Sequence, residues 1–233
     1  MNPTTSEPSA YGLWPLVVVN VLIFVGFAFT YTRPRSRRDW QSLGAFAAFV
    51  VALFTEMYGF PLIIYLVSGW LVARFPQINV FAHSSGHLWQ ALAGWNGDPH
   101  LSALHWLGDG LMVGGLILLG ASWKKLFQAR QQGNLATTGP YAHVRHPQYV
   151  AFVLIMIGFL LEWPTLPTLI LFPLLTVRYV RVARQEEREA QVRFGMAYSN
   201  YAAHTPAFLP RVSTLLAPGS GPMPPPEHET QRS

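Results

Sequence analysis

Long apolar runs with few charges set the pattern of this chain. Residues 13–31 carry no charged side chain over 19 positions. That is enough for a helix to cross a hydrocarbon core of about 30 Å. Residues 42–73 are apolar apart from Glu56 and are interrupted at Gly59-Phe60-Pro61. Residues 106–123 form the next span. Residues 149–177 are apolar except for Glu162, with Pro164 and Pro167 in the middle. That pattern predicts two helices in a hairpin, the second lengthened past Arg178 because a long arginine stem lets its head reach the interface.

Charge orients these runs. Segments 1–12, 75–105 and 162–167 hold no Lys or Arg. Arg33, Arg35, Arg37 and Arg38 follow the first run. Lys124, Lys125, Arg130 and Arg145 follow the third, and Arg178, Arg181, Arg184, Arg188 and Arg193 close the last. Basic residues collect on the inner side, so the N-terminus is expected outside and the C-terminus inside, with five spans. This count takes 42–73 as one long helix kinked near Pro61. A hairpin there, with part of 75–105 returning into the membrane, is the alternative that Arg74 favours.

Only 12% of residues are charged, against about a quarter in soluble domains. The expected class is therefore an all-α, polytopic helical membrane protein of about five transmembrane helices with a cytoplasmic C-terminal helical region. The net charge of +5 sits beside apolar runs, which fits membrane orientation and not nucleic acid. No cysteine is present, which excludes disulfides and thiolate metal sites. Three parts follow: residues 1–125 with the N-terminal helices and an outside loop, a core at 126–212, and a Pro-rich tail at 213–233 expected to be disordered. Within the core, 184–203 reads as a cytoplasmic helical segment that Gly195 interrupts and Pro206 ends.

The chemistry concentrates between residues 133 and 201. Gly139-Pro140 is a turn signal, and Pro147 suits the first position of a helix. The amides of Gln148 and Tyr149 are then expected to point out of a helix start, where the macrodipole attracts an anion. Arg145 and His146 add donors at the same place. The hairpin returns the chain so that Glu186 and Glu187 lie nearby, where a carboxylate holds a cationic group. Together the two ends suit a zwitterion such as the methionine part of S-adenosylmethionine, and equally another zwitterionic ligand.

As an ordered set, Gly139-Pro140-Tyr141, Arg145-His146-Pro147-x-Tyr149, Glu186-Glu187 and Phe194-Gly195-x-x-Tyr198-x-x-Tyr201 resemble the membrane methyltransferases typified by isoprenylcysteine carboxyl methyltransferase, with phospholipid methyltransferases as more distant relatives. The resemblance covers roughly residues 126–210. It implies S-adenosylmethionine as cofactor, with contacts from Gly133, Asn134, Leu135, Ala136, Tyr141, His146, Pro147, Gln148, Tyr149 and Glu186. It also implies methyl transfer to a lipophilic acceptor at the cytoplasmic face: the carboxylate of an isoprenylcysteine-like molecule or another lipid. Membrane lipid or a lipidated molecule is the expected partner, and nucleic acid is not. The family often carries a substrate-directed arginine four residues before the glutamate; here that position is Val182, and Arg181 or Arg178 stands near it. Arg145, Arg181, Glu187 and Glu56 are the candidate substrate contacts. No general base is assigned, because a sulfonium methyl is already an activated electrophile.

Plainer readings stand beside these. Arg181 serves equally as a snorkelling anchor, and Tyr198 and Tyr201 read as packing residues. Glu56 is either functional or a hydrogen-bonded carboxyl beside the 59–61 break. His83 and His87 lie four apart, with Asp98, His100, His105 and Asp109 nearby. On a helix the two histidines would share a face and ligate a metal or haem. The Ser, Gly, Asn and Pro between 82 and 100 read instead as a polar outside loop, which also suits a cap over a substrate cavity, and no metal is assigned there. A haem or metal membrane protein without methyltransferase activity is the competing function. A transporter using Glu56 is another, but no paired repeat is visible.

Overall fold

The computed structural model describes residues 11–32, 37–74, 87, 89 and 98–210. Among them the chain is helical, with no strand: α1 (Trp14–Thr32), α2 (Arg37–Phe54), α3 (Leu62–Arg74), α4 (Ala103–Gln131), α5 (Pro147–Glu162), α6 (Leu166–Phe194) and α7 (Met196–His204). Three helical stretches are long and apolar enough to cross a membrane: Trp40–Gly59, Ala103–Gln131 and Leu166–Phe194. Trp14–Thr30 and Pro147–Glu162 are shorter apolar helices. The proposed tail at 213–233 and the first residues lie outside the described part.

Residues 42–73 differ from the expected single kinked helix. α2 gives way to a π-type turn over Thr55–Gly59, and Phe60 is extended with φ −128° and ψ 112°. A residue before proline is pushed out of the helical region, and Pro61 brings no N–H. The result is a break followed by a separate helix, α3. The N–H groups of Gly12 and Leu13 donate to the carbonyls of Gly59 and Tyr58, at 2.8 and 2.9 Å. The start of α1 thus meets the end of α2, and the two helices run antiparallel.

α5 is the central helix, and none of its 16 residues is exposed. Phe152 packs against Phe46 of α2, with ring centroids 4.9 Å apart, and Phe159 meets Phe24 edge-on at 4.9 Å. Tyr179 of α6 stacks on Tyr149 and Phe152. Each such pair adds about 0.5–1.5 kcal/mol beyond its buried area. Leu22, Ile23, Ile117 and Leu174 of the surrounding helices are exposed, as expected of faces that meet lipid.

Helices α4 and α5 approach more closely than side chains normally allow. A Cβ on Gly158 would fall 2.7 Å from the Gly108 carbonyl oxygen and 2.6 Å from Met112 Cγ. Lipid is as apolar as leucine, so helices in a membrane associate through close backbone contact at small residues. This antiparallel pair carries the loop 132–146 at one end and Glu162 at the other.

The hairpin at 162–167 forms as expected. Thr165 caps α6 by accepting the Thr168 N–H at 3.3 Å, while the Thr165 N–H donates to Thr168 Oγ1 at 3.2 Å. α6 then runs without interruption for 29 residues, past Pro173. The charged stretch from Arg184 is therefore the continuation of a membrane helix and not a separate segment, because nothing between 178 and 194 breaks helical geometry. Gly195, at φ 53°, separates it from α7.

Candidate active site

The end of α4, the loop behind it, the start of α5, the far half of α6 and α7 converge. Gly133 ends α4 with φ 71°, a left-handed conformation that costs a Cβ-bearing residue about 1–2 kcal/mol. The Asn134 N–H donates to Ala129 O at 2.9 Å and the Gly133 N–H to Arg130 O at 3.3 Å, closing the last turn. A short 3₁₀ turn over Gly139–Ala142 then buries Tyr141.

His146 caps α5 and Pro147 opens it. The expectation that both following amides point outward needs correction. The Tyr149 N–H donates to the His146 carbonyl at 3.1 Å, because the first turn tightens to satisfy its own donor. The Arg145 and His146 amides donate to Pro206 and Ala207 carbonyls, at 2.9 and 3.1 Å. These bonds tie the helix start to the segment after α7.

Side chains complete the junction. Arg145 grips Glu187 Oε1 through Nη2 at 2.7 Å and Nε at 2.9 Å. Its Nη1 donates to the Ala202 and Thr205 carbonyls, at 2.9 and 3.1 Å. His146 Nε2 lies 3.1 Å from Glu187 Oε1, and its Nδ1 lies 3.6 Å from Glu186 Oε2. The Tyr149 hydroxyl donates to Glu186 Oε1 at 2.8 Å. Tyr141 donates to Gln148 Oε1 at 2.9 Å, and Tyr201 to the Tyr141 carbonyl at 2.7 Å. Burial, with the nearby Glu186 charge, pushes the Tyr141 phenol far above its usual value. Burial, together with the charges of Glu187 and Glu186, pushes Tyr198 up to about 12, against an opposing pull from Arg145. Both phenols stay neutral donors at physiological pH.

These groups border a cavity of about 620 Å³. Asn134, Leu135, Ala136, Tyr141, His146, Gln148 and Glu186 line it, as do Arg145 and Glu187. Gly133, Pro147 and Tyr149 stand behind the wall: Gly133 turns the chain, Pro147 starts α5, and Tyr149 holds Glu186. Arg181 is exposed on α6 and does not line the cavity. Arg178 donates to Gln41, and Val182 is buried. Glu56 is buried in the turn after α2, at the end remote from the cavity. Neither Arg181 nor Glu56 borders this cavity.

Tyr198 and Tyr201 line the cavity as well as packing. Phe194 of the motif borders it too, as do Arg130, Glu189 and Arg193, which the residue pattern did not single out as site residues. A signal exists for part of this group: Glu186, Ala190 and Arg193 follow at i, i+4 and i+7, one face of α6. Of the histidines, His83 lies outside the described residues. His87, His100 and His105 gather at the opposite end of α4, His87 buried and His100 exposed.

Residues 103–191 match the sequence profile of the Isoprenylcysteine carboxyl methyltransferase (ICMT) family. The match takes in α4 and α5 and the glutamate pair of α6, so it starts earlier than the motif region at 126–210. The chain is also 34% identical over 124 residues to the cobalt-zinc-cadmium resistance protein CzcN of Cupriavidus metallidurans, covering 51% of this chain and 55% of that protein. It is 33% identical over 116 residues to the nickel-cobalt-cadmium resistance protein NccN of Alcaligenes xylosoxydans xylosoxydans, covering 46% and 54%. The chain thus spans about half the length of the curated relatives it matches. No solved structure matches it.

Proposed function

We propose that this chain, with its methyltransferase-family core at 103–191, uses S-adenosylmethionine to methylate a lipophilic acceptor at the cytoplasmic end of its helices. The observation that carries this reading is the single cavity on which Glu186-Glu187 and Arg145-His146 converge. Its volume of about 620 Å³ falls within the range of roughly 300–1,000 Å³ common for small-molecule sites. Its wall offers both signs of charge, as a zwitterionic amino-acid group requires.

Each side chain then has a task. Glu186 receives an ammonium group, held in place by the Tyr149 hydroxyl. Arg130 and Arg193, on facing helices of the same wall, suit a carboxylate. Glu187 and Arg145 form the frame, since their charges already satisfy each other. Leu135, Ala136 and Phe194 supply apolar wall for the remainder. When bound, S-adenosylmethionine supplies a methyl group already activated on a sulfonium. The chain's own contribution is to orient the acceptor oxygen or nitrogen in line and to keep water out. A lipid acceptor reaches the cavity laterally between helices.

The cytoplasmic assignment rests on basic residues: Lys124, Lys125, Arg130, Arg145 and the arginines from 178 onward all belong to the cavity end of their helices. Resistance to metal ions, named for both relatives, is a cellular outcome that a membrane-modifying enzyme can serve.

Calorimetric titration with S-adenosylhomocysteine tests the reading on wild type, Glu186→Ala and His146→Ala. Loss of a charged hydrogen bond should weaken binding about tenfold or more in each variant. Equal affinity in all three proteins removes the assignment.

A further inference from the structure

A second group of ligating side chains lies at the other end of the α4–α5 pair. His105 and Asp109 are one turn apart on α4, and Glu162 is the last residue of α5. Each offers one ligand atom, and the three atoms lie within 4.8 Å of one another. His100 Nδ1 is 3.4 Å from His105 Nε2, and His105 Nε2 is 3.8 Å from Asp109 Oδ2. Two ligands on a tetrahedral ion, each about 2.1 Å away, stand roughly 3.4 Å apart. The spacing between the imidazole nitrogens is that of neighbours on one ion, and the carboxylates need only a small closure.

Two further observations point to a ligand. Glu162 is 7% exposed, and its Oε1 has no hydrogen-bond partner among the described residues. A buried acceptor left unmatched costs about 1–3 kcal/mol, and a cation between these groups removes that cost. Asp109 also faces Glu162 within hydrogen-bond reach, and a cation there takes the place of the proton that the two carboxyl groups would otherwise share. Gly108 creates the room: a Cβ there would lie 2.7 Å from Glu162 Cγ and 2.9 Å from Glu162 Oε1. His87 closes the inner side, its ring 4.7 Å from that of His100 and 5.0 Å from that of Trp163.

We propose that His100, His105, Asp109 and Glu162 bind one divalent first-row transition-metal ion at the end of the α4–α5 pair remote from the cavity. Two imidazoles and two carboxylates without sulfur favour zinc, cobalt or nickel over copper(I) or a haem. The separation from the methyl-transfer cavity is the length of α5, 16 residues, or roughly 24 Å. The site stands independently of the methyltransferase reading.

The test uses the full chain, purified in detergent and stripped with a chelator, then titrated with cobalt(II). The expected result is one equivalent bound, with visible ligand-field bands of a low-coordinate ion, displaced by zinc. Glu162→Gln and Asp109→Asn keep side-chain size and should each weaken binding about tenfold or more, whereas His204→Ala, on α7, should bind as wild type. A thermal melt in detergent reports that each variant is folded. Absence of cobalt binding by wild type overturns the proposal, and so does equal binding by Glu162→Gln and Asp109→Asn. If His204→Ala loses binding as they do, the ion sits elsewhere and the proposal fails.

Discussion

Arg145 and Glu187, 42 positions apart in the chain, meet through two guanidinium nitrogens on one carboxylate oxygen, at 2.7 and 2.9 Å. The same guanidinium also holds the carbonyls of Ala202 and Thr205. One side chain therefore fastens α6, the end of α7 and the start of α5 to each other. Its geometry is a planar fork, which lysine does not reproduce.

Arg145→Lys should accordingly behave nearly as badly as Arg145→Ala. Both leave Glu187 half-buried beside His146 alone and release two carbonyls. We expect S-adenosylhomocysteine affinity to fall about tenfold or more and the melting temperature in detergent to drop. A lysine variant with wild-type affinity and melt would show that charge alone suffices.

Tyr149→Phe isolates the orientation of Glu186. The hydroxyl donates to Glu186 Oε1 at 2.8 Å, while the ring stacks on Tyr179 regardless of the oxygen. Affinity for S-adenosylhomocysteine should fall by a factor of about 3–10, with little change in melting temperature. Calorimetry and a melt on the same preparation separate the two effects. An equal loss in both would assign the hydroxyl to the fold instead.

Alkaline pH should expose Tyr198. Its folded value stands at about 12 against an ordinary 10.0, burial being the main cause. Below pH 10 both folded and unfolded chains hold this proton, so it contributes no pH dependence. Between about 10 and 12 the unfolded chain releases the proton while the folded chain retains it. Stability therefore falls as pH rises through that window. Melts at pH 9 and 11.5, both set inside the comparison, should show a smaller decline for Tyr198→Phe than for wild type, whereas parallel declines would remove this residue as a source.

Gly158→Val tests the close approach of α4 and α5. A Cβ alone would meet the Gly108 oxygen at 2.7 Å, and valine adds two methyl groups. Overpacking of this kind costs typically about 1–3 kcal/mol or more. The variant should melt earlier and lose S-adenosylhomocysteine affinity although residue 158 touches neither the cavity nor its loop. Wild-type behaviour in both assays would show that the helix pair can separate freely.

Much of this organisation was readable from local chemistry. Pro164 and Pro167 announce the hairpin, because proline acts on its own neighbours, while the Thr165 cap became visible only in the fold. His146-Pro147 announces the start of α5 for the same reason. The hairpin length then brings Glu186-Glu187 back to Arg145-His146, which is geometry that follows from counting residues. The family resemblance added the loop 133–136, which no pattern of charge or hydropathy marks.

What stayed hidden depends on distant contacts or on competing local preferences. Arg130 and Glu189 sit on charged helix faces, where a residue aimed into a cavity has the same pattern as one aimed into water. Pro61 signals a disturbance, but whether a helix bends or breaks there depends on the partners of Gly59 and Tyr58, which are Gly12 and Leu13. The gathering of His100 and His105 with Glu162 joins two helix ends separated by more than fifty positions, and spacing along the chain does not encode it.

The near-complete enclosure of α5 has an evolutionary side. A helix with one face on lipid accepts exchange among leucine, isoleucine and valine along that stripe, so its tolerance to replacement rises and falls every three to four positions. α5 carries only a narrow, partly covered stripe of Val150, Val153, Leu154, Ile157 and Leu161, and its other eleven residues are buried. A saturation library over 147–162 should therefore be restrictive at the buried positions and more tolerant along that stripe.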